Sequence, residues 1–265
     1  MTPSGELARF EAPAYAAKRF VLATDLDGTF LGGSEADRHA LYDWIEANRD
    51  EIGLIFVTGR DPEFLEQLCT ETPVPWPDYA VGDVGTTIAR IEDFRVRPLA
   101  ELEEQIAEIW GDRGPAVRAA LDGWPGLTLQ PTPFRHRVSY DWDPAAYRPG
   151  AEAVAADLGC DALFSANRFF DVLPRGVSKG PSLRRLTDWL GLEPSRVLAA
   201  GDTLNDLSML VEGLPAVAVG GSEPALLEAL GEPDHLHLAR AVGAGGILEA
   251  VAALGLHPAP PAPQG

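Results

Sequence analysis

Residues 19–29 read RFVLATDLDGT: an apolar run that ends in two acids around one leucine, Asp25 and Asp27, followed by a Gly-Thr pair. A short continuous apolar run closed by a turn signal is the pattern of a strand buried on both faces. Acids at i and i+2 at the carboxyl end of such a strand sit where parallel sheets bind their ligands. That position suits Asp25 as a nucleophile and metal ligand, with Asp27 close enough to exchange a proton. Gly28 lets the backbone turn tightly away. Alone, an Asp-x-Asp pair is read as readily as a turn that caps a helix.

The same strand-and-turn pattern recurs on either side. Residues 53–57 (GLIFV) form a second apolar run, closed by Thr58-Gly59-Arg60, and Asp61 to Glu71 reads as a helix with an Asp-Pro start. Residues 35–50 carry Leu41, Trp44 and Ile45 at helical spacing, and 79–91 (YAVGDVGTTIARI) read as strand, glycine turn and strand. Further on, 181–191 reads as a helix, 196–201 as a strand, 203–212 as a helix and 215–219 as a strand. Alternating β and α segments with unbroken apolar strands predict an α/β fold, a parallel sheet covered on both faces.

The middle of the chain differs. Residues 127–143 (LTLQPTPFRHRVSYDWD) contain a long alternation, with Phe134, His136, Val138, Tyr140 and Trp142 on one face and Arg135, Arg137, Ser139 and Asp141 on the other. Period two predicts a half-covered antiparallel strand. A helix near 145–158 and strands near 161–173 follow. Residues 90–172 therefore read as a smaller α+β insert in a core made of 1–89 and 173–255, and the Pro-rich segment 256–265 as a disordered tail.

A second acidic motif reinforces the first. Asp202 and Asp206, in GDTLND, also follow an apolar run, one helical turn apart. Clustered carboxylates repel unless a hard cation joins them, and oxygen-only ligands point to Mg²⁺. Thr58 and Gly59 offer a hydroxyl and a free N–H at a strand end, which suits a phosphate oxygen. Lys179 is one of only two lysines, with Lys18, among 21 Lys+Arg. Where arginine is otherwise the rule, a retained lysine suggests a site that needs a compact charge.

Composition bounds the partners. The 265 residues carry 21 basic and 40 acidic side chains, so the net charge is 21 − 40 = −19. That surface repels nucleic acid and anionic membranes, and an anionic substrate needs a cation at its site. Cys69 and Cys160 make no disulfide framework or zinc motif. The first eighteen residues carry acids and no apolar core of a leader, and no apolar stretch approaches a membrane span. The expectation is a cytoplasmic protein, monomeric or weakly homo-oligomeric.

The order DLDGT, a threonine after the second strand, a lysine, then GDTLND resembles the haloacid dehalogenase superfamily of phosphohydrolases. Within it, DLDGTFL, VTGR, GDVGTTI and FFDVLPRGVSKG resemble the sucrose-phosphate phosphatase branch. The resemblance implies a Rossmann-like parallel-sheet core with an inserted α+β cap that chooses the substrate. It implies that Asp25 attacks phosphorus and becomes an aspartyl-phosphate, while Asp27 serves as acid and then base. It implies Mg²⁺ held by Asp25, the Asp27 backbone carbonyl and Asp202, with Asp206 acting through water. Thr58, Gly59, Lys179 and Asn205 would hold phosphoryl oxygens, with Arg60 beside them on the substrate side. Asp83 in the glycine turn, Arg137 on the polar face of the alternating stretch, and Arg168 are the candidate sugar contacts. Asn167-Arg168 stands where the family carries Gly-Lys. The expected substrate is a phosphorylated disaccharide such as sucrose 6-phosphate, or a glycosyl-polyol phosphate. The alternatives are a monosaccharide-phosphate phosphatase and a phospho-accepting receiver module.

Overall fold

The structure, a computed structural model, describes residues 15–264 apart from 133 and 232. Expectations that fall on residues 1–14 and on 265, including the reading of the leader region, lie outside the described residues. The large sheet has eight strands: β1 (Phe20–Thr24), β2 (Ile52–Val57), β3 (Tyr79–Gly82), β4 (Thr87–Glu92), β5 (Arg95–Pro98), β10 (Val197–Gly201), β11 (Ala216–Gly220) and β12 (Leu236–Val242). Their order is β12-β11-β10-β1-β2-β3-β4-β5, parallel from β12 through β3 and antiparallel at β4 and β5. Successive strand residues point to opposite faces, so one run feeds two cores. Val21, Ala23, Ile55 and Val57 pack with Leu183 and Leu186, while Phe20, Leu22, Leu54 and Phe56 pack with Trp44 and Ile247. This is why the central strands read as unbroken apolar runs.

Local signals start the helices. In α1 (Glu35–Ala47), the Ser34 hydroxyl accepts the Asp37 N–H, and in α2 (Pro62–Glu71) Asp61 accepts the Phe64 N–H with proline in the first turn. Then follow α3 (Ala100–Trp110), α4 (Gly114–Ala120), α5 (Ala151–Asp157), α6 (Lys179–Leu190), α7 (Leu207–Leu210), α8 (Pro224–Leu230) and α9 (Ala244–Ala253). The helix expected over 203–212 is a tight 3₁₀ turn, Leu204–Asp206, that runs into the short α7. Among the described residues, no helix is long and apolar enough to cross a membrane.

The insert is a four-stranded antiparallel sheet, β6 (Leu127–Leu129), β7 (Val138–Trp142), β8 (Cys160–Ser165) and β9 (Phe169–Pro174), in the order β6-β7-β9-β8. Its apolar face, with Val138, Tyr140, Phe170 and Val172, packs on Val117 of α4 and on Ala151 and Ala155 of α5. The alternating strand expected from Phe134 to Trp142 forms only from Val138 onward, as β7, and it pairs with the separate strand β6 upstream. Pro131, which has no N–H for a ladder, lies in the connection between them. Phe134 and His136 thus precede β7, and Phe134 turns its ring under the Arg137 guanidinium, 3.6 Å away. The expected boundary at residue 90 falls inside β4, which belongs with β5 to the large sheet. Helix α3 joins the two units, with Leu102 and Ile106 in the core and Trp110 in the insert.

The tail also departs from expectation. Residues 256–264 form no regular element, yet Leu256 packs on the core and His257 is buried with its ring edge-on to Trp44 at 5.0 Å. The Gln264 N–H donates to Asp37 at 2.6 Å. Proline stiffness lowers the entropy lost when such a segment is laid down, which composition alone does not reveal.

Candidate active site

The carboxyl ends of β1, β2 and β10 bring the sequence motifs together. The Asp25 N–H donates to the Ala200 carbonyl at 2.8 Å, which fixes Asp25 just past β1 and against β10. The next residues, Leu26–Phe30, curl back, with Gly28 left-handed at φ 84°. A Cβ at Gly28 would lie 2.2 Å from an Asp202 carboxylate oxygen, so only glycine lets the two acidic turns close. Thr29 completes the contact, its hydroxyl donating to the other Asp202 oxygen at 2.6 Å.

Lys179, at the start of α6, is wholly buried beneath these turns. Its ammonium donates to Asp25 at 2.6 Å, to Asp206 at 2.6 Å and to the Asn205 side-chain carbonyl at 2.8 Å. All three of its protons are thereby used. The other Asp206 oxygen accepts the N–H groups of Asp202 at 3.0 Å and Thr203 at 2.9 Å. Asp206 therefore holds both the lysine and the turn that carries Asp202.

Three carboxylates around one ammonium leave the cluster short of positive charge. Burial raises the Asp25 carboxyl well above its ordinary range; Lys179 opposes this and Asp206 adds to it. Burial likewise pushes Asp202 up to about 6, against the hydrogen bond from Thr29. Burial alone would lower the Lys179 ammonium, but the charges of Asp206 and Asp25 overcome it and hold the group above its ordinary value. Oxygens of Asp25, Asp202 and Asp206 lie within 4.8 Å of one another. Hard oxygen donors, a charge deficit and a half-buried Asp202 fit a small divalent cation.

The remaining predicted residues divide. Asp27 and Arg60 meet: the guanidinium forks onto both Asp27 oxygens at 2.8 and 3.0 Å and stacks over Phe64. Thr58 is buried at the end of β2, its hydroxyl accepting the Arg60 N–H at 3.1 Å. Asp83 opens a left-handed turn and accepts the Thr87 hydroxyl at 2.6 Å. Arg137, expected on a sugar-facing side, is instead engaged by Asp171 at 2.9 Å, the Gly59 carbonyl at 3.2 Å and Asp83 at 3.4 Å. Arg168 stands apart in the β8–β9 hairpin, its side chain 71% exposed and 3.9 Å from Asp141. Strand β8 lies beside the Leu204–Asp206 turn, so the insert leans over the site. The sequence pattern does not single out the roles of Thr29 and Asp171. Thr29 belongs to the DLDGT motif and was within reach, whereas the partner of Asp171 lies 34 residues away and becomes visible only on folding.

A largely parallel sheet with Asp-x-Asp after its first strand, a buried lysine opening a helix, an acidic pair after β10 and an inserted antiparallel unit together define the haloacid dehalogenase fold and site. Within that class the chain belongs to the sucrose-6F-phosphate phosphohydrolase family, whose pattern matches residues 18–255. It is 44% identical over 232 residues to a glucosylglycerol-phosphate synthase of Pseudomonas anguilliseptica, covering 87% of this chain but only 30% of that protein. It is 29% identical over 249 residues to a mannosylfructose-phosphate phosphatase of Agrobacterium fabrum, covering 90% of this chain and 98% of that one. The sucrose-phosphatase of Synechocystis sp. PCC6803, solved with sucrose and phosphate, superposes with a TM-score of 0.78 at 26% identity. That match covers 90% of this chain and 98% of the other.

Proposed function

We propose that this chain is a Mg²⁺-dependent phosphatase that frees a phosphorylated disaccharide or glycosyl polyol of its phosphate through an aspartyl-phosphate on Asp25. The observation that carries this reading is the Asp25 carboxylate, held by the buried Lys179 at the carboxyl edge of the sheet, between Asp27 and the Asp202–Asp206 pair. Family membership sets aside the receiver reading. Asp25, the Asp27 backbone carbonyl and Asp202 would hold Mg²⁺, with Asp206 behind them through water; the ion neutralises charge on the phosphoryl oxygens.

The chain's own residues do the rest. An Asp25 oxygen forms a bond to phosphorus as the ester P–O bond breaks, and Asp27 gives its proton to the departing sugar oxygen. Asp27, now ionised, takes a proton from water as that water attacks phosphorus, which releases phosphate and restores Asp25. Arg60 orients Asp27 by its bidentate grip on the two carboxyl oxygens. Asn205, Thr58 and the Gly59 N–H position the phosphoryl oxygens, Lys179 fixes the attacking Asp25 carboxylate and places a positive charge beside them, and the reaction needs positioning and charge more than covalent elaboration.

The four-stranded unit serves as the cap, and the β8–β9 hairpin with Arg168 is its part open to a sugar. A glycosyl-polyol phosphate is the first substrate to test, because the 44% identical relative is named for glucosylglycerol phosphate. The test is phosphate release from glucosylglycerol phosphate, sucrose 6-phosphate, glucose 6-phosphate and p-nitrophenyl phosphate, with Mg²⁺ and with EDTA. Mg²⁺-dependent turnover, with kcat/KM highest on a two-part substrate, supports the reading. A preference for the monosaccharide ester, or no release at all, overturns it.

A further inference from the structure

The two turns that flank the phosphate position are knitted to each other. The Val84 N–H donates to the Thr58 carbonyl at 3.1 Å, and the Asp83 N–H to the Arg60 carbonyl at 2.9 Å. The second turn is strained: Asp83, Val84 and Gly85 are consecutive left-handed residues, at φ 53°, 58° and 100°. A β-branched residue there is held only by its surroundings. Gly85 in turn abuts the start of α6. A Cβ on it would lie 2.3 Å from the Ser178 carbonyl carbon, and its carbonyl accepts the Ser182 hydroxyl at 2.6 Å. The strained turn thus joins the Thr58–Gly59 end of β2 to the backbone that carries Lys179.

One side chain from the insert reaches both turns. Arg137 is 6% exposed, stacked on Phe134 and held within its own sheet by Asp171, which also accepts the Ser139 hydroxyl. Its remaining reach goes across to the core, to the Gly59 carbonyl and the Asp83 carboxylate. Arg135, two residues before it, makes a parallel crossing to Glu103 at 2.8 Å and to the Thr87 hydroxyl at 3.2 Å, and Thr87 itself donates to Asp83. Burial raises the carboxyls of Asp83 and Glu103, and the facing arginines oppose that rise.

We propose that Arg137 is a positioning residue: seated on Gly59 and Asp83 when the insert lies over the core, it sets the turn that receives the phosphoryl group and, through Gly85, the start of the Lys179 helix. It touches neither the reacting atoms nor the sugar. This goes beyond the phosphatase reading but rests on it, because the turn it sets is the one that reading assigns to phosphate. A guanidinium suits the place, since one of its nitrogens serves Asp171 while the other reaches the Gly59 carbonyl and Asp83, a spread that a single ammonium nitrogen does not cover.

The test uses Arg137→Lys, Asp83→Asn and the double variant, each checked for folding by its thermal transition. Turnover of glucosylglycerol phosphate and of p-nitrophenyl phosphate is measured, and binding of inorganic phosphate with Mg²⁺ is followed by calorimetry. Each single variant is expected to lose about tenfold in kcat on both substrates and about tenfold in phosphate affinity. The double variant should lose little more than either single one, because the two residues act as a unit. A rise in KM confined to the sugar ester would make Arg137 a sugar contact and overturn the proposal. A lowered transition temperature with kcat and phosphate binding intact would reduce it to a structural tie and also overturn it. If the wild type binds phosphate but hydrolyses no ester, the phosphatase reading fails while the loss of phosphate affinity still reads the positioning role of Arg137. A wild type that binds no phosphate overturns both.

Discussion

The Lys179 ammonium lies 2.6 Å from the Asp25 carboxylate, with the lysine side chain 0% and the aspartate 7% exposed. A buried lysine beside a buried carboxylate is costly to assemble and pays only where the charge is used. Here it holds one Asp25 oxygen still, which leaves the other for the proposed attack on phosphorus. It also supplies a positive charge that needs no exchange with solvent. Asp206 secures the geometry from behind, since it grips the same ammonium and the backbone of Asp202 and Thr203.

Lys179→Arg is expected to fail despite keeping the charge. The guanidinium is planar and larger, and the space between Asp25, Asn205 and Asp206 admits three short bonds to one nitrogen. A loss of about 100-fold or more in kcat is expected in protein that remains folded. Lys179→Met should be worse in a second way, leaving two buried carboxylates unpaired at a cost of about 3–5 kcal/mol. Circular dichroism melts and steady-state rates separate the two effects. An arginine variant within a few-fold of wild type would remove Lys179 from the phosphoryl site.

Gly28→Ala tests the closure between the two acidic turns. The residue is left-handed, and a methyl there would sit 2.2 Å from an Asp202 oxygen. Strain of about 1–3 kcal/mol is expected in the thermal transition. Because Asp202 must shift, the Mg²⁺ concentration for half-maximal activity should rise by about tenfold. An unchanged metal dependence would mean that Asp202 does not hold the ion.

The core of this picture was legible in the sequence because its signals are local. DLDGT, TGR and GDTLND each sit on a strand end, and a strand buried on both faces leaves an apolar run that cannot be missed. What failed to show was set by distance along the chain. The engagement of Arg137 by residues 34 and 78 positions away leaves no local trace, and an arginine on an alternating stretch looks the same whether it faces a sugar or a carboxylate. Strands β5 and β12 are short or half-exposed, so their hydrophobic period is weak. The alternation begins at Phe134, four residues before β7, because period two records only which residues are apolar and not whether the backbone pairs in a ladder.

Asp27→Asn should show its two roles through the leaving group. In the proposed mechanism the wild-type carboxyl protonates a sugar oxygen, which leaves badly without a proton, whereas p-nitrophenolate leaves well unaided. Formation of the aspartyl-phosphate should therefore fall about 100-fold or more with a sugar phosphate and far less with p-nitrophenyl phosphate. Hydrolysis of the intermediate should be slow with both, so burst kinetics with p-nitrophenyl phosphate would reveal trapped phosphoenzyme. Equal losses with both leaving groups in the first step would deny Asp27 the acid role.

The packed tail predicts a pH effect of definite sign. His257 is buried against Trp44, and burial lowers its imidazole below the ordinary value, with Glu51 at 3.7 Å opposing that shift and Arg19 adding to it. A histidine held down in the folded state favours folding fully above its unfolded pKa, near 6.5. That contribution is lost as pH falls through 6.5 toward the folded value, because the unfolded chain then binds the proton more readily. The thermal transition of the wild type should therefore fall between pH 7.5 and 5.5 by more than that of His257→Phe, whose ring can keep the apolar contact but cannot titrate. Ending the chain at residue 256 should lower the transition at pH 7.5 by about 2–4 °C, the equivalent of about 1 kcal/mol. It should also bring the pH dependence to that of the phenylalanine variant. A truncated protein with the wild-type transition at both pH values would mean that the segment contributes nothing to the fold. Identical pH slopes for wild type and His257→Phe, with truncation still destabilising, would assign the effect to the packing of the segment and the Gln264–Asp37 bond rather than to titration of the histidine.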